Sequence, residues 1–499
     1  MDERGLGREG LGAKWARLWL RALWIAACLV FQAGAVQAAQ GDFEEGTRAF
    51  AGGDFEKAFD LTMRAAQEGD ARAQTAVGLM YELGRGTHQN GAEAVRWYRE
   101  AASRQFPMAL FKMGEMYEYG VGVGQSDEEA LSWYRKAANE EYGSAAFIVG
   151  SWTKAGRGTA RDDALAARWL ERAAKKGDVR AQKMLAEMYL RGEGVVQSER
   201  DAAKWFLRAA EKGDAQAQYA MGVMTVFGRG VYQDARDGLK MFEAAAAQGY
   251  VDAFYELGVM NLNGEGLLMR HETTAREWLR RSAEAGDVRG MIGLAHMLHK
   301  GEGGERNDAE AARWYEAAAQ QGQAAAATAL GAMFAQGDGV PQDAKQAAAW
   351  FRKAAEQGDV TAQFNLGVLF SRGEGVPPDF AQAAAWFRKA AEQGHAAAQF
   401  NLGWLYGNGE GVPFSMNRAL YWLEKAARQG NADAQYSLGV IFGEGWNVEK
   451  DAERAKAWYG LAAAQGDAGA RERLRALGST VLPAGIGAPD KLPEPINSY

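Results

Sequence analysis

The stretch QAAAWFRKAAEQG runs from Gln346 to Gly358 and occurs again, letter for letter, from Gln382 to Gly394. The second copy places apolar residues at intervals of three and four, at Ala383, Trp386, Phe387, Ala390 and Ala391. This spacing predicts one apolar stripe along an α-helix. A glycine such as Gly394 is typical of the left-handed residue just past a helix end. The duplication therefore predicts a helical building unit that the chain repeats.

Tryptophan marks the period of this unit. Ten tryptophans follow one another at intervals of 36 residues, apart from one interval of 73 residues in which Met241 takes the missing place. They are Trp97, Trp133, Trp169, Trp205, Trp278, Trp314, Trp350, Trp386, Trp422 and Trp458. Because a fixed period of this length is the signature of a repeat protein, the sequence predicts about eleven units.

Each unit contains two helical patterns. In the unit that begins at Val360, TAQFNLGVLFSRG predicts a first helix, GEGVPPD a loop, and FAQAAAWFRKAAEQG a second helix. Asp379, with Gln382 three residues later, is typical of a helix N-terminus. We call these two elements the first and second helix of a repeat.

A glycine lies inside the first helix in nine units, and Ala186 and Ala295 take its place in the other two. Glycine inside a helix costs about 0.5–1 kcal/mol relative to alanine. Its repeated use predicts close approach of a neighbouring helix, with the tryptophan of the second helix filling the adjacent space. These glycines are Gly78, Gly114, Gly150, Gly222, Gly258, Gly331, Gly367, Gly403 and Gly439. A nucleotide-binding role for them, or for G-x-G loops such as Gly373–Gly375, is disfavoured because no strand precedes them.

The predicted fold is all-α. A single helical pair cannot bury its stripe alone, so stacked pairs are expected to form a right-handed α-α superhelix, a solenoid of about eleven 36-residue helix-loop-helix repeats over residues 71–467. Residues 42–70 are expected to form a degenerate N-terminal helical pair and residues 468–477 a closing helix. Residues 478–499 are rich in proline and predict a flexible tail.

The pattern AQFNLGVLFSRGEGVPPD, followed by AAAWFRKAAEQG, resembles the Sel-one-like repeat, a 36-residue relative of the tetratricopeptide repeat. The resemblance covers residues 71–467. It implies a non-enzymatic scaffold that binds other proteins or peptides, and in secreted bacterial members a role in envelope assembly or signalling. Exopolysaccharide export, or another carbohydrate-associated role, is the alternative. A branch associated with penicillin-like ligands has repeated cysteine pairs, which this sequence lacks.

The candidate binding residues lie on the first helices. Aromatic residues recur three positions before the helix glycine, and apolar residues follow four positions later in several units. By analogy with tetratricopeptide arrays, the first helices line a concave groove, so these residues are expected to grip an extended peptide or an amphipathic helix. The alternative is that they only complete the packing between repeats. The aromatic residues are Phe111, Phe147, Tyr219, Tyr255, Phe364, Phe400 and Tyr436, and the apolar ones are Val223, Val259, Val368, Trp404 and Val440.

Two motifs raise the possibility of other chemistry. His296 and His299 could share a helix face and bind a metal, but a third ligand at helical spacing is missing. Ser151 and Lys154 match S-x-x-K, the acylation motif of penicillin-recognising enzymes, without the motifs that accompany it. A penicillin-recognising hydrolase is therefore the least favoured function, and we expect no enzyme activity, cofactor or metal.

Residues 1–38 predict a secretory signal peptide. Basic residues precede an apolar run from Ala22 to Val30, and small residues allow cleavage after Ala38, which places the mature chain in the periplasm or outside the cell without a transmembrane span. An uncleaved membrane anchor and lipidation at Cys28 are the alternatives. The formal net charge is −7, with both signs interspersed, so nucleic acid is not an expected partner.

Overall fold

The computed structural model describes residues 40–266 and 269–478, and within these ranges the chain forms 25 helices and no strand. The predicted signal peptide, Cys28 and the tail from residue 479 lie outside the described residues. The helices are α1 Gln40–Ala51, α2 Phe55–Gln67, α3 Ala71–Leu83, α4 Gly91–Ser103, α5 Pro107–Tyr119, α6 Asp127–Asn139, α7 Gly143–Ala155, α8 Asp163–Lys175, α9 Val179–Arg191, α10 Glu199–Glu211, α11 Ala215–Phe227, α12 Ala235–Ala247, α13 Val251–Asn263, α14 Glu272–Glu284, α15 Val288–Lys300, α16 Asp308–Gln320, α17 Ala324–Gln336, α18 Ala344–Glu356, α19 Val360–Arg372, α20 Phe380–Glu392, α21 Ala396–Asn408, α22 Met416–Arg428, α23 Ala432–Glu444, α24 Ala452–Ala464 and α25 Ala468–Ala476.

The repeats are arrays of packed helical pairs. The chain divides into two compact units at the boundary between Tyr250 and Val251. In each unit, every helix packs against the helix that follows it in the chain. From α3 onward, odd-numbered helices up to α23 are first helices and even-numbered helices are second helices. The prediction of an all-helical repeat solenoid is confirmed.

The helix ends follow the sequence signals. Asp379 caps α20 by accepting hydrogen bonds from the backbone N–H groups of Ala381 and Gln382, both at 2.9 Å. Gly373, which follows α19, has a φ of +71°, and Gly394, one residue beyond the C-cap of α20, has a φ of +93°. These left-handed conformations end the helices where the sequence places a glycine.

The core stripe differs from the prediction in one respect. Ala383, Phe387, Ala390 and Ala391 are at most 2% exposed, whereas Trp386 is only half-buried. The space beside each helix glycine is filled by the residue after the tryptophan, or after Met241 in the fifth repeat. A Cβ added at Gly367 would lie 2.7 Å from the ring of Phe387. The prediction that tryptophan fills this space was therefore wrong. Successive residues of a helix point in different directions, and the residue after the tryptophan is the one that faces the glycine.

The G-x-G loops have a structural role between repeats. Gly375 has a φ of +72°, and a Cβ added there would lie 2.0 Å from the carbonyl oxygen of Ala344, the first residue of the preceding second helix. The same contact recurs in the next repeat, where Gly411 meets the backbone of Phe380. In the last repeat Asn447 takes this place and keeps a positive φ of +52°. The second glycine therefore allows one repeat to contact the backbone of the preceding one.

Buried glutamines join one repeat to the next. Gln363 in α19 donates from Nε2 to the carbonyl oxygen of Ala355, in the preceding second helix, at 3.2 Å. Its Oε1 accepts a hydrogen bond from Nε2 of Gln393, at the end of its own repeat, at 2.9 Å. We call this arrangement the glutamine bridge, and Gln399 with Gln429 and Gln435 with Gln465 form it in the following repeats. Gln393 of the second repeated stretch thus takes part in this junction, whereas Gln357 of the first donates to the carbonyl oxygen of Lys353 in its own repeat.

Candidate functional site

The aromatic and apolar residues predicted to bind a partner, which we call the ladder, lie at the edge of the core. In α19, Ala362 and Leu366 are fully buried, while the ladder residues Phe364 and Val368 are half-buried. Every aromatic ladder residue is half-buried except Trp404, which is 46% exposed. Phe111, Phe147, Tyr219 and Val223 lie in the first unit, and Tyr255, Val259, Phe364, Val368, Phe400, Trp404, Tyr436 and Val440 lie in the second.

Residues at the start of the following first helix cover one face of several ladder rings. The ring of Tyr142 lies tilted against that of Phe111 with centroids 4.8 Å apart, and the ring of Tyr250 lies 5.2 Å from that of Tyr219. His395 stacks on Phe364 at 4.6 Å. Sequence analysis did not anticipate these contacts, although the covering residues stand where most repeats have Asp or Asn.

In two repeats an arginine takes the covering role. Arg180 lies 4.2 Å from the ring centroid of Phe147, and Arg289 lies 4.6 Å from that of Tyr255. A cation over an aromatic face is attracted by the ring quadrupole. Both arginines also pair with the aspartate that caps the same helix. The motif Asp-x-Arg at the start of the following repeat is therefore the sequence signal that could have predicted this contact.

His395 both caps the N-terminus of α21 and covers the ring of Phe364. Its Nδ1 accepts a hydrogen bond from the backbone N–H of Ala398 at 3.2 Å, so it replaces the Asp of other repeats as N-cap of α21. Burial lowers the pKa of the imidazole. The neutral ring can accept this hydrogen bond, whereas the protonated ring has only donors.

The most exposed ladder residue is Trp404, and Phe400 precedes it by one turn on α21. Within the described chain, no aromatic ring or cation lies over Phe400. Asp433 stands at the position that Arg180 and Arg289 occupy in their repeats. The two residues are four apart on one helix and therefore lie side by side.

Residues of the other two candidate motifs, the histidine pair and S-x-x-K, form hydrogen bonds or ion pairs with neighbouring residues of the fold. Nδ1 of His299 lies 2.7 Å from Oδ1 of Asp308, at the start of the next helix, and His296 points to solvent. In the described residues no group of three or more His, Cys, Asp or Glu side chains could hold a metal ion. The Ser151 hydroxyl donates to the carbonyl oxygen of Ile148, and the Lys154 ammonium pairs with Glu193 of the next repeat. This geometry does not resemble a serine activated by a neighbouring base.

A buried charge cluster joins the first two repeats, and sequence analysis missed it. Nζ of Lys112 lies 2.8 Å from Oε2 of Glu115 and 3.4 Å from Glu82, and the hydroxyl of Tyr98 donates to Glu82. Burial opposes the charge on Lys112, but the two carboxylates outweigh it and raise its pKa. Because each buried charge has a partner, we interpret the cluster as a specific contact between these two repeats.

Comparison with known families agrees with this architecture. The Sel1 repeat model matches the chain eleven times in succession. The matches span residues 71–106, 107–142, 143–178, 179–214, 215–250, 251–287, 288–323, 324–359, 360–395, 396–431 and 432–467. The chain belongs to the Sel1 repeat family. The sixth Sel1 repeat is 37 residues long, which accounts for the interval of 73 residues, and not 72, between Trp205 and Trp278.

Two solved structures with Sel1-type repeats are similar to this chain. One is a protective antigen of uropathogenic Escherichia coli with an SLR fold, which is 31% identical, has a TM-score of 0.73 and covers 85% of this chain and 91% of its own. The other is a Sel1 repeat protein from Oxalobacter formigenes, which is 34% identical, has a TM-score of 0.52 and covers 62% of this chain and 90% of its own. A search of curated proteins found no match.

No helix among the described residues is both long and apolar enough to cross a bilayer.

Proposed function

We propose that this chain is a non-enzymatic scaffold of the bacterial cell envelope that binds other proteins through the ladder. Sel1 repeat proteins are generally protein-interaction modules, and this supports the general part of the proposal. The signal-peptide pattern of residues 1–38 supports a periplasmic or secreted location. The similar Escherichia coli protein is a protective antigen, which is compatible with a location outside the cytoplasm.

One observation carries the proposal: the ladder residue Trp404 is exposed although it borders a tightly packed core. Trp404 is 46% exposed beside the half-buried Phe400. An exposed aromatic beside a partly buried one provides apolar area that a partner can cover without disturbing the core.

A carbohydrate-associated function receives less support from the ladder. Sugars stack on open aromatic faces, yet His395 covers a face of Phe364, and Tyr142 covers a face of Phe111. Phe111 and Phe364 are therefore poor stacking sites for a sugar, and protein and sugar binding have to be compared at Phe400 and Trp404, which no ring or cation of the described residues covers.

Affinity purification of the mature chain from the envelope fraction tests the proposal. A protein partner should be recovered with the wild type and lost with the double variant Phe400→Ala, Trp404→Ala. Phe414→Ala is the matched control, because Phe414 is 55% exposed but lies in a loop. Recovery of soluble polysaccharide instead of a protein would support the alternative function.

A further inference from the structure

Two arginines converge on one tyrosine hydroxyl at the junction of the ninth and tenth repeats. Arg388 on α20 donates from Nη2 to the hydroxyl oxygen of Tyr406 on α21 at 2.8 Å. Arg418 on α22 donates from Nη1 to the same oxygen at 3.5 Å, and its guanidinium carbon lies 5.4 Å from the centroid of the tyrosine ring. Both guanidinium groups are therefore within hydrogen-bond distance of a single atom.

No acidic group balances these two cations. Among the described residues, no carboxylate lies within ion-pair distance of Arg388 or Arg418. Like charges this close together repel each other. Tyr406 is only 3% exposed, and its hydroxyl hydrogen has no acceptor in the described chain. The cluster therefore combines two unbalanced positive charges with an unused donor on a buried side chain.

Other junctions do not place two cations together. Arg280 and Glu310 occupy the positions of Arg388 and Arg418 in the sixth and seventh repeats, where they form an ion pair. In the eighth and ninth repeats these positions hold Arg352 and Gln382, which carry one charge between them. The fold thus accepts an acidic or a neutral residue where Arg418 stands.

The fold does not require the tyrosine hydroxyl either. Phe370 and Phe442 occupy the position of Tyr406 in the two neighbouring repeats, and both are buried. One junction therefore adds a second cation and a hydroxyl to a place that an uncharged, apolar pair of residues can fill. Neither addition has a partner in the described chain that explains it.

An oxyanion would satisfy all three groups. Guanidinium groups form charge-assisted hydrogen bonds with carboxylates and phosphates, and a phenol O–H can donate to the same oxygens. The ion pair of Arg280 with Glu310 shows that a carboxylate fits against the arginine at this junction. Since Arg388 is half-buried and Tyr406 almost fully buried, the group has to enter between two side chains, which favours a narrow ligand.

We propose that Arg388, Arg418 and the hydroxyl of Tyr406 bind the carboxylate group of a small free acid. The site goes beyond the proposed function, because no ladder residue takes part in it. Failure of either proposal therefore leaves the other standing.

The test uses the full chain in sodium succinate, with sodium chloride at equal ionic strength as the reference. A ligand that binds only the folded state raises the midpoint of thermal unfolding, and the dependence on concentration gives its Kd. We expect Arg388→Gln and Arg418→Gln each to raise this Kd about tenfold, as the loss of a charge-assisted hydrogen bond predicts.

Arg313→Gln is the matched control. Arg313 is exposed on α16 and has no ion-pair partner among the described residues, so this variant makes the same change of charge away from the site. It should leave the Kd for succinate within about twofold of the wild type, because exposed charges contribute little.

Arg418→Glu gives a second measurement. A glutamate at this position should pair with Arg388 as Glu310 pairs with Arg280. The variant should therefore unfold at a higher temperature than the wild type in chloride and should no longer respond to succinate. Circular dichroism should show unchanged helix content in both variants of Arg418, since glutamate and glutamine occur naturally at this place in other repeats.

Four results would overturn the inference. An equal loss of the succinate response in Arg313→Gln would show a general effect of charge, and a full response in Arg418→Glu would show that succinate binds elsewhere. Stronger stabilisation by inorganic phosphate, lost in both Gln variants at the site, would assign the site to phosphate. A hexaglutamate peptide that binds more tightly than succinate and needs both arginines would assign it to an acidic side chain of another protein.

Discussion

At the scale of single residues, two neighbouring aromatics of one second helix, Trp350 and Phe351, differ in burial. Phe351 is 3% exposed and fills the space beside Gly331, where an added Cβ would lie 2.8 Å from its ring. Trp350 is half-buried, and Nζ of Lys353 lies 5.0 Å from its ring centroid. Trp350 is therefore not the best-buried residue of its repeat, whereas Trp458 in the last repeat is 1% exposed.

Replacement of these two aromatics should have unequal effects. We expect Phe351→Ala to lower the free energy of unfolding by about 3–5 kcal/mol, because it leaves a cavity in the core. Trp350→Ala should cost less, since part of this side chain is already hydrated. Denaturant unfolding of both variants measures the difference, and a larger loss for Trp350→Ala would contradict the assignment.

His395 predicts a pH dependence. Burial lowers its pKa in the folded chain, so below about pH 6.5 the unfolded chain binds the proton more readily. Its contribution to stability is fully present above this pH and declines as the pH falls. His395→Asn keeps a capping side chain without a titrating group. Urea unfolding should therefore show a weaker acid dependence in this variant, and an unchanged dependence would contradict the cap assignment.

At the scale of the elements, the loop glycines set how closely repeats approach. Gly375 combines a positive φ with a contact to the backbone of Ala344, whereas a Cβ added at Gly358, which has a φ of +96°, would meet nothing within 4 Å. The two glycines therefore separate backbone strain from steric contact.

Alanine at these two positions should have different costs. Gly358→Ala should lose about 1–2 kcal/mol of stability from strain alone. Gly375→Ala should lose about 2–4 kcal/mol, because the Ala344 backbone cannot move as a side chain can. Thermal unfolding compares them, and equal losses would show that the junction yields without cost.

The glutamine bridge offers a stabilising change. Gln182 donates to the carbonyl oxygen of Ala174 at 3.0 Å, but within the described residues its buried Oε1 has no hydrogen-bond partner. Lys212 stands where Gln393 stands in its own repeat. Lys212→Gln should supply the missing donor and raise the free energy of unfolding by about 1 kcal/mol, since the hydrogen bond that it removes, from Lys212 to the carbonyl oxygen of Gly177, is exposed.

Lys176→Gln is the control for this change, although it also removes the exposed ion pair of Lys176 with Glu141. It makes the same substitution one repeat earlier, where the facing residue is Ala146 and has no side-chain acceptor. Chemical denaturation should show stabilisation in Lys212→Gln only, and equal effects would argue against the bridge.

At the scale of the whole molecule, the sequence predicted the repeat, its length and its helix ends because each depends on local signals that recur. The helix glycines and Gly394 are such signals. The identity of the residue facing Gly367 could not be read in this way, since a rotation of one residue around a helix decides it. Contacts between repeats, such as Gln363 with Gln393 or Lys112 with Glu82, connect residues 30 positions apart and leave no local pattern.

The covering of individual ladder rings could not be predicted from the repeat pattern either. Spacing placed Phe364 and Phe400 on equivalent faces, but only the structure shows that His395 covers the first. The difference lies in residue 395, which belongs to the junction and not to the helix that carries the ring. The covering of the ladder rings therefore differs between repeats because of residues that the repeat pattern leaves free to vary.

The most direct test of the central claim is site-specific photocrosslinking in the living cell. Benzoylphenylalanine is placed at Trp404, on the ladder, or at Asn417, on the second helix of the same repeat. The ladder position should crosslink to a discrete envelope protein, and the second-helix position should not. Crosslinks from Asn417 without any from Trp404 would contradict binding through the ladder.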